Sequence, residues 1–290
     1  MHLRKIAVGL SALVLLSTGA EARSLLDLLK PPAQHQEQGS RSGSISQSAA
    51  LDLYSSQQKK ASFDGCSELF PSSKPLAMTT VSSSMKPLAL CSDNFAVLYS
   101  QTSKTPLVVI ERLNAAQLKD AKGEERTNQF YADPRIPKSG RAELSDYRSQ
   151  KPAVDRGHQS PAADAPNPNA MAQSFALSNM VPQDPTNNRK IWSKVESDVR
   201  KFAQRAAGNV YVFTGPLFDS GHGTVGDNKV WVPTRLYKLV YDASSKRAWA
   251  YVLPNAETRV EKPMDYETFV KTTGLNLLGN LPVTGSVGRT

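Results

Sequence analysis

Between residues 95 and 112 the chain carries two short apolar stretches, Phe95 to Ser100 and Thr105 to Arg112, rich in β-branched residues and separated by polar positions. Runs of this length and composition predict a hairpin of strands. Three more strand-like stretches follow: Val210 to Thr214, Lys229 to Tyr241 and Ala248 to Leu253, with a Gly-rich turn at Ser220 to Gly226 between the first two. Lys190 to Ala207 has a different period. Ile191, Trp192, Val195, Val199, Phe202, Ala203 and Ala206 recur at helical spacing, with Asn187 or Asn188 at the N-cap position. Tyr266 to Leu278 predicts a last helix. Asn114 to Gln150 is polar and irregular, which inside a domain points to functional surface. No internal repeat is present. The fold class these periods predict is α+β: a largely antiparallel β-sheet core with flanking helices.

The N-terminal pattern reads separately. His2, Arg4 and Lys5 precede an uncharged apolar stretch from Ile6 to Ala20, and Ala20-Glu21-Ala22 offers small residues on both sides of a cleavage site. This predicts a signal peptide over residues 1–22 and a protein that ends up periplasmic or secreted. The alternative, a membrane anchor, is disfavoured because the apolar run is short, so no stable membrane insertion is expected after cleavage. Residues 23–62 are dominated by Ser, Gln and Gly, apart from a possible amphipathic turn at Leu25 to Leu29. Such a composition buries too little surface to offset its ordering entropy and predicts a flexible tether, with the globular domain occupying residues 63–290.

Charge adds a partner class. Lys and Arg number 35 against 26 acids, a formal +9; loss of residues 1–22 removes Arg4, Lys5 and Glu21 and leaves +8. A basic surface suits a polyanion, because neutralising phosphates releases counterions, although basicity alone is weak evidence. The two cysteines, Cys66 and Cys91, have no C-x-x-C spacing and no histidine nearby in sequence. In an oxidising compartment they are most simply a disulfide.

Candidate chemistry is narrow. Of four histidines, His2 lies in the signal segment and His35 in the tether, leaving His158 and His222. That count excludes a zinc site built from several His and Cys ligands. No G-x-S-x-G elbow is present, though a triad in another order stays open. His222, in Gly221-His222-Gly223, reads as an exposed turn residue, and Trp192, Trp231 and Trp249 as core residues that could instead stack bases. His158 ends the tetrapeptide Asp155-Arg156-Gly157-His158. Asn179 follows it by 21 residues and Asn188 by 30; Glu196 lies 8 beyond Asn188 and Arg200 another 4 beyond Glu196. Each has a plain structural explanation: an Asp155–Arg156 surface pair, an Asn188 N-cap, a Glu196–Arg200 pair one helical turn apart. Those explanations leave the joint spacing unaccounted for.

Taken together, Asp155-Arg156-Gly157-His158-Gln159-Ser160-Pro161, Leu177-Ser178-Asn179-Met180-Val181-Pro182-Gln183, Asn188-Arg189-Lys190-Ile191-Trp192 with Glu196, and Val210-Tyr211-Val212-Phe213-Thr214-Gly215-Pro216 resemble the DNA/RNA non-specific endonucleases of the ββα-metal type, which include endonuclease G-like enzymes. The resemblance runs from about Leu107 to the C-terminus. It implies a ββα-metal catalytic motif and a hydrolase of DNA and RNA phosphodiesters without sequence preference, leaving 5′-phosphate ends. His158 would be the general base. Asn188 would be the direct ligand of Mg²⁺, with Mn²⁺ a possible substitute, and Glu196 would hold the ion through water. Asn179 would fix the site geometry. Arg126 would meet the scissile phosphate, with Arg156 and Arg200 supporting site or substrate. The implied partners are DNA and RNA through their phosphate backbones, with a homodimer possible. Two other readings stay open at this point: a nucleic-acid-binding protein without catalysis, and a phosphodiesterase for smaller nucleotides on the same fold.

Overall fold

The computed structural model describes residues 45–285. The expected signal peptide, His35, Leu25 to Leu29 and most of the expected tether lie outside the described residues. Seven strands form one antiparallel sheet in the spatial order β1 (Pro87–Cys91), β2 (Phe95–Ser100), β3 (Thr105–Leu113), β6 (Val210–Leu217), β9 (Arg235–Asp242), β10 (Arg247–Pro254) and β11 (Met264–Asp265). Both faces of this sheet are covered, which is why β2 and β3 read as continuous apolar runs. Alternation then sorts the side chains. Tyr211, Phe213, Tyr237 and Leu239 pack on one face with Phe63, Phe70 and Phe269. Val210, Val212, Leu236 and Val240 pack on the other with Trp192, Val195 and Val199 of the long helical segment.

That second face carries the layer in which the candidate residues lie. Its parts are a two-stranded ladder of β4 (Asp155–His158) and β5 (Met180–Gln183), and a helical segment that begins as a wide π-type turn, Asn187–Trp192, and continues as helix α4 (Ser193–Ala203). A strand pair followed by a helix is the ββα arrangement the resemblance implies. Short helices α1 (Gln47–Asp52), α2 (Ala115–Asp120) and α3 (Pro168–Ser174) and the C-terminal α5 (Tyr266–Thr273) complete the body. Among the described residues no helix is long and apolar enough to cross a membrane.

The α+β, mainly antiparallel class expected from the sequence is what the chain adopts, with adjustments that have local causes. Residues 45–62, assigned to the tether by composition, belong to the folded body. Ala50 and Tyr54 are buried, and the Tyr54 hydroxyl shares a 2.8 Å hydrogen bond with that of Tyr131. The stretch Lys229 to Tyr241 is two strands, β8 (Val230–Trp231), which pairs with β7 (Thr224–Val225), and β9. Pro233, which has no N–H to give a ladder, stands between them. The last helix stops at Gly274, whose φ of 73° is the left-handed cap that ends helices. Cys66 and Cys91 are bonded to each other, joining a helical turn before β1 to the end of that strand.

Candidate functional site

Strand β4 delivers Arg156 and His158 to one face, because side chains two apart on a strand point the same way. Both meet the same aromatic wall. The Arg156 guanidinium lies 3.9 Å from the centroid of Phe130, and the His158 ring sits 5.7 Å from Phe130 and edge-on to Phe175 at 5.1 Å. Arg126 reaches the wall from the polar stretch before it, 4.9 Å from the Phe175 centroid, with its Nε donating to Asn128 Oδ1 at 2.7 Å. Two cations thus flank the imidazole, and burial adds to their effect. Burial first, then Arg126 and Arg156, hold the His158 pKa well below the ordinary imidazole value. The ring is therefore neutral at neutral pH. Its Nε2 is buried and meets no hydrogen-bond partner among the described residues.

Gly157, between them, is required by a close approach. A Cβ there would lie 1.9 Å from Gln183 Oε1, across the ladder. Only a residue without a side chain lets β4 and β5 come this near.

The turn that follows β4 is tied down by Asn179. Its Oδ1 accepts from Ser160 N at 2.9 Å, and its Nδ2 donates to Ser160 O and Ser174 O at 2.9 Å each. Gln159 N donates to Asn179 O at 3.0 Å. Fully buried, Asn179 holds the segment behind His158 through its side-chain amide and one backbone bond.

Asn188 enters from the π-type turn. The sequence places it at an N-cap, but the helical segment starts earlier: Asp184 Oδ1 accepts from Asn187 N and Asp184 O from Asn188 N, both at 2.8 Å. Asn188 is thus inside the first turn. Its neighbour Asn187 is structural, buried and donating to Pro254 O and Ala256 O. The amide Nδ2 of Asn188 donates to Asp155 Oδ2 at 2.9 Å, and Arg189 pairs with the same carboxylate at 2.6 Å. Asp155 therefore bonds across to the helix, where a pairing with its neighbour Arg156 was the plain alternative.

One turn into α4, burial raises the Glu196 pKa to about 7, with Lys238, Arg200 and Arg126 opposing and Asp164 adding to it. Arg126 acts on both His158 and Glu196, so strand and helix address one region. Arg200 does not pair with Glu196 as the helical spacing suggests. Its Nε donates to Asp164, in the turn Ala162–Asp164 beyond His158, and so braces that loop.

The sheet floor adds residues not singled out from sequence. Lys238 of β9 is 1% exposed and donates to Thr214 Oγ1 at 2.6 Å. Glu111 of β3 is equally buried, with both oxygens unpartnered; burial first, then Asp164, push its pKa well up. Both interrupt apolar strand runs, and a charge in such a run was the available signal. Phe130 and Phe175 gave none, since aromatics are ordinary core residues. His222, expected to be an exposed turn residue, is half-buried and stacks 4.1 Å from Trp231 beside Phe218. Trp192 and Trp249 are core, as expected.

Among the described residues no group of three or more His, Cys, Asp or Glu could hold a metal ion. A donor set of one amide oxygen and one nearby carboxylate fits a hard cation that keeps most of its water, which is the habit of Mg²⁺. The Asp155 bond supports this, because it takes the NH₂ side of the Asn188 amide and leaves the oxygen side for a cation.

Comparison with known proteins gives the same class. The family model described as DNA/RNA non-specific endonuclease matches residues 72–283. The chain belongs to that family. It is 37% identical over 181 residues to "Nuclease EXOG, mitochondrial" of Danio rerio, a match covering 56% of this chain and 51% of the relative. It is 31% identical over 208 residues to "Endonuclease G, mitochondrial" of Homo sapiens, covering 65% and 69%. A solved structure described as the EndoG/EndoGI complex superposes with a TM-score of 0.62 and 25% identity over 70% of this chain and 91% of that one. The match thus spans about half the length of the EXOG relative. Both of these relatives are mitochondrial by name, which corrects the periplasmic or secreted placement drawn from residues 1–22.

Proposed function

We propose that this chain is a Mg²⁺-dependent endonuclease that hydrolyses DNA and RNA phosphodiesters without reading sequence. The observation that carries the reading is His158: a neutral imidazole between two arginines, on the strand whose first residue orients Asn188. A base needs a pKa below the working pH, and the reaction needs positive charge where the phosphate gathers negative charge.

In this mechanism the His158 imidazole takes the proton of the water that attacks phosphorus. The bond from phosphorus to the 3′ oxygen breaks and that oxygen takes a proton from solvent, leaving a 5′-phosphate and a 3′-hydroxyl. Arg126 meets the scissile phosphate, with Arg156 beside the base. Asn188 would hold the metal through its amide oxygen and Glu196 through water; the ion, when bound, neutralises developing charge at the leaving oxygen. Asn179 and Arg200 keep the His158 loop in place from both ends. Gripping phosphates, with no element committed to a groove, suits a substrate range covering both sugars.

Purified protein is expected to convert supercoiled plasmid and single-stranded RNA to short fragments with Mg²⁺, and to stop with EDTA. His158→Ala should lose cleavage by several orders of magnitude while still binding DNA. Wild-type protein that binds both polymers and cuts neither would support a binding protein instead, and preference for a dinucleotide diester over plasmid would support the smaller-substrate reading.

A further inference from the structure

Ser178, next to Asn179, is buried and is not used by the chemistry above. Its hydroxyl donates to Asp133 Oδ2 at 2.5 Å. Asp133 is in turn clamped by Arg135: Nη2 donates to Oδ2 at 2.6 Å, Nε to Oδ1 at 2.9 Å, and the Arg135 backbone N to Oδ1 at 2.9 Å. The remaining guanidinium nitrogen, Nη1, donates to Cys91 O at the end of β1, and the guanidinium lies 3.7 Å from the Tyr54 ring centroid. The two side chains are 1% and 0% exposed. Arg135 and the hydrogen bonds overcome burial and keep the Asp133 pKa lowered, so the pair is ionised.

A buried ion pair is poor value as mere stabiliser, since apolar residues of the same volume often do as well. It differs from an apolar plug in direction. Here the guanidinium and carboxylate meet at fixed angles, and the hydroxyl they orient belongs to the residue before Asn179. We propose that the Asp133–Arg135 pair is a positioning device for His158, acting through Ser178 on the Asn179–Ser160 clasp. Asp133 and Arg135 touch no substrate. They anchor the clasp to Cys91 and to Tyr54, so the turn behind the base cannot drift independently of the sheet. The inference rests on reading His158 as the base, and a displacement of that base by a fraction of an ångström is costly.

Ser178→Ala in the full chain is the direct test, because it removes the side-chain bond to Asp133 and little volume. We expect kcat on a DNA duplex to fall about 10- to 100-fold, the range for losing a group that orients an active-site residue, with KM nearly unchanged and the urea midpoint lowered, because a buried carboxylate loses a donor. Asp133→Asn should also lower kcat, and the double variant should lose little beyond the larger single loss, since both break one chain of contacts. In the NMR spectrum of metal-free protein without substrate, the His158 imidazole resonances should shift or broaden in Ser178→Ala. A Ser178→Ala protein with wild-type kcat and unshifted His158 resonances would overturn the proposal. If Asp133→Asn does not fold, Ser178→Ala still decides it. Cleavage surviving His158→Ala would instead sink the assignment of the base, while the resonances would still report on the brace.

Discussion

The Asn188 amide donates its Nδ2 to the Asp155 carboxylate at 2.9 Å, joining the first residue of β4 to the first turn of the helix. An asparagine amide has a donor side and an acceptor side, and this bond decides which is which. With the donor side held, the oxygen is fixed as the group offered to a cation. On the proposed reading of Asn188 as the metal ligand, Asp155 acts on metal binding without touching the metal. Asp155→Ala is expected to raise the Mg²⁺ concentration for half-maximal activity by about 10- to 100-fold. Asn188→Ala should raise it at least as much. A metal titration of activity checks both, and an unchanged requirement in Asp155→Ala would show that the amide needs no such help.

The acid side of the pH profile follows from the His158 surroundings. As the proposed base, His158 works only unprotonated, so a lowered pKa keeps it active at pH values where an ordinary imidazole, near 6.5, is already protonated. At saturating metal, kcat/KM should hold below pH 6.5 before falling. Burial is the first cause of the shift and persists in any arginine variant, so removing one cation moves the limb only part of the way. Arg126→Ala is expected to shift it upward, toward 6.5, and Arg126→Lys to leave it near the wild-type position while rates differ. A limb that moves equally in both would assign the shift to something other than charge.

These two relationships differ in how far the sequence disclosed them. The periods announced the sheet and the long helix, and motif spacing singled out His158, Asn179, Asn188, Glu196 and Arg200 together. Pairwise contacts were another matter. Arg200 looks like the partner of Glu196 because they are four apart, yet it bonds to Asp164 from a loop brought in by tertiary packing. Asn188 looks like a cap because a helix pattern starts at Lys190, yet Asp184 begins the turn. Tyr54 lies in a stretch whose composition reads as a tether, and it is ordered by one hydroxyl bond and one guanidinium. Local pattern reports the element; the partner across the fold leaves no periodic trace.

The Cys66–Cys91 bond closes a loop with a sequence separation of 25. In the chain-entropy account a loop of that length stabilises the fold by about 3.5 kcal/mol. Replacing both cysteines by serine should therefore lower the free energy of unfolding by about that amount in a urea titration run under non-reducing conditions. Arg135 bonds to the backbone oxygen of Cys91, and serine keeps that oxygen. The kcat of the folded double variant is accordingly expected to stay near wild type. A large loss of kcat with little change in stability would mean that the bond shapes the site directly.

Gly157 offers a test of the ladder itself. An added Cβ would meet Gln183 Oε1 at 1.9 Å, Gln183 Cβ at 2.7 Å and Gln183 Cδ at 2.9 Å, all from one side chain across β4 and β5. Gln183 cannot simply swing away, since its Nε2 donates to the buried Asn187 Oδ1 at 2.7 Å. Gly157→Ala should therefore push β4 off its partner, carrying His158 and Asp155 with it. The expected result is a destabilisation of about 1–3 kcal/mol, the range for overpacking, together with a fall in kcat and a higher metal requirement. The relief should be specific. Gln183→Ala removes most of the obstructing atoms at the expense of the Asn187 bond, so the double variant Gly157→Ala/Gln183→Ala should be more active than Gly157→Ala alone. Measured as a double-mutant cycle, the coupling should be favourable and should appear in kcat as well as in stability. Additive losses would show that the approach of Gln183 does not dictate the glycine.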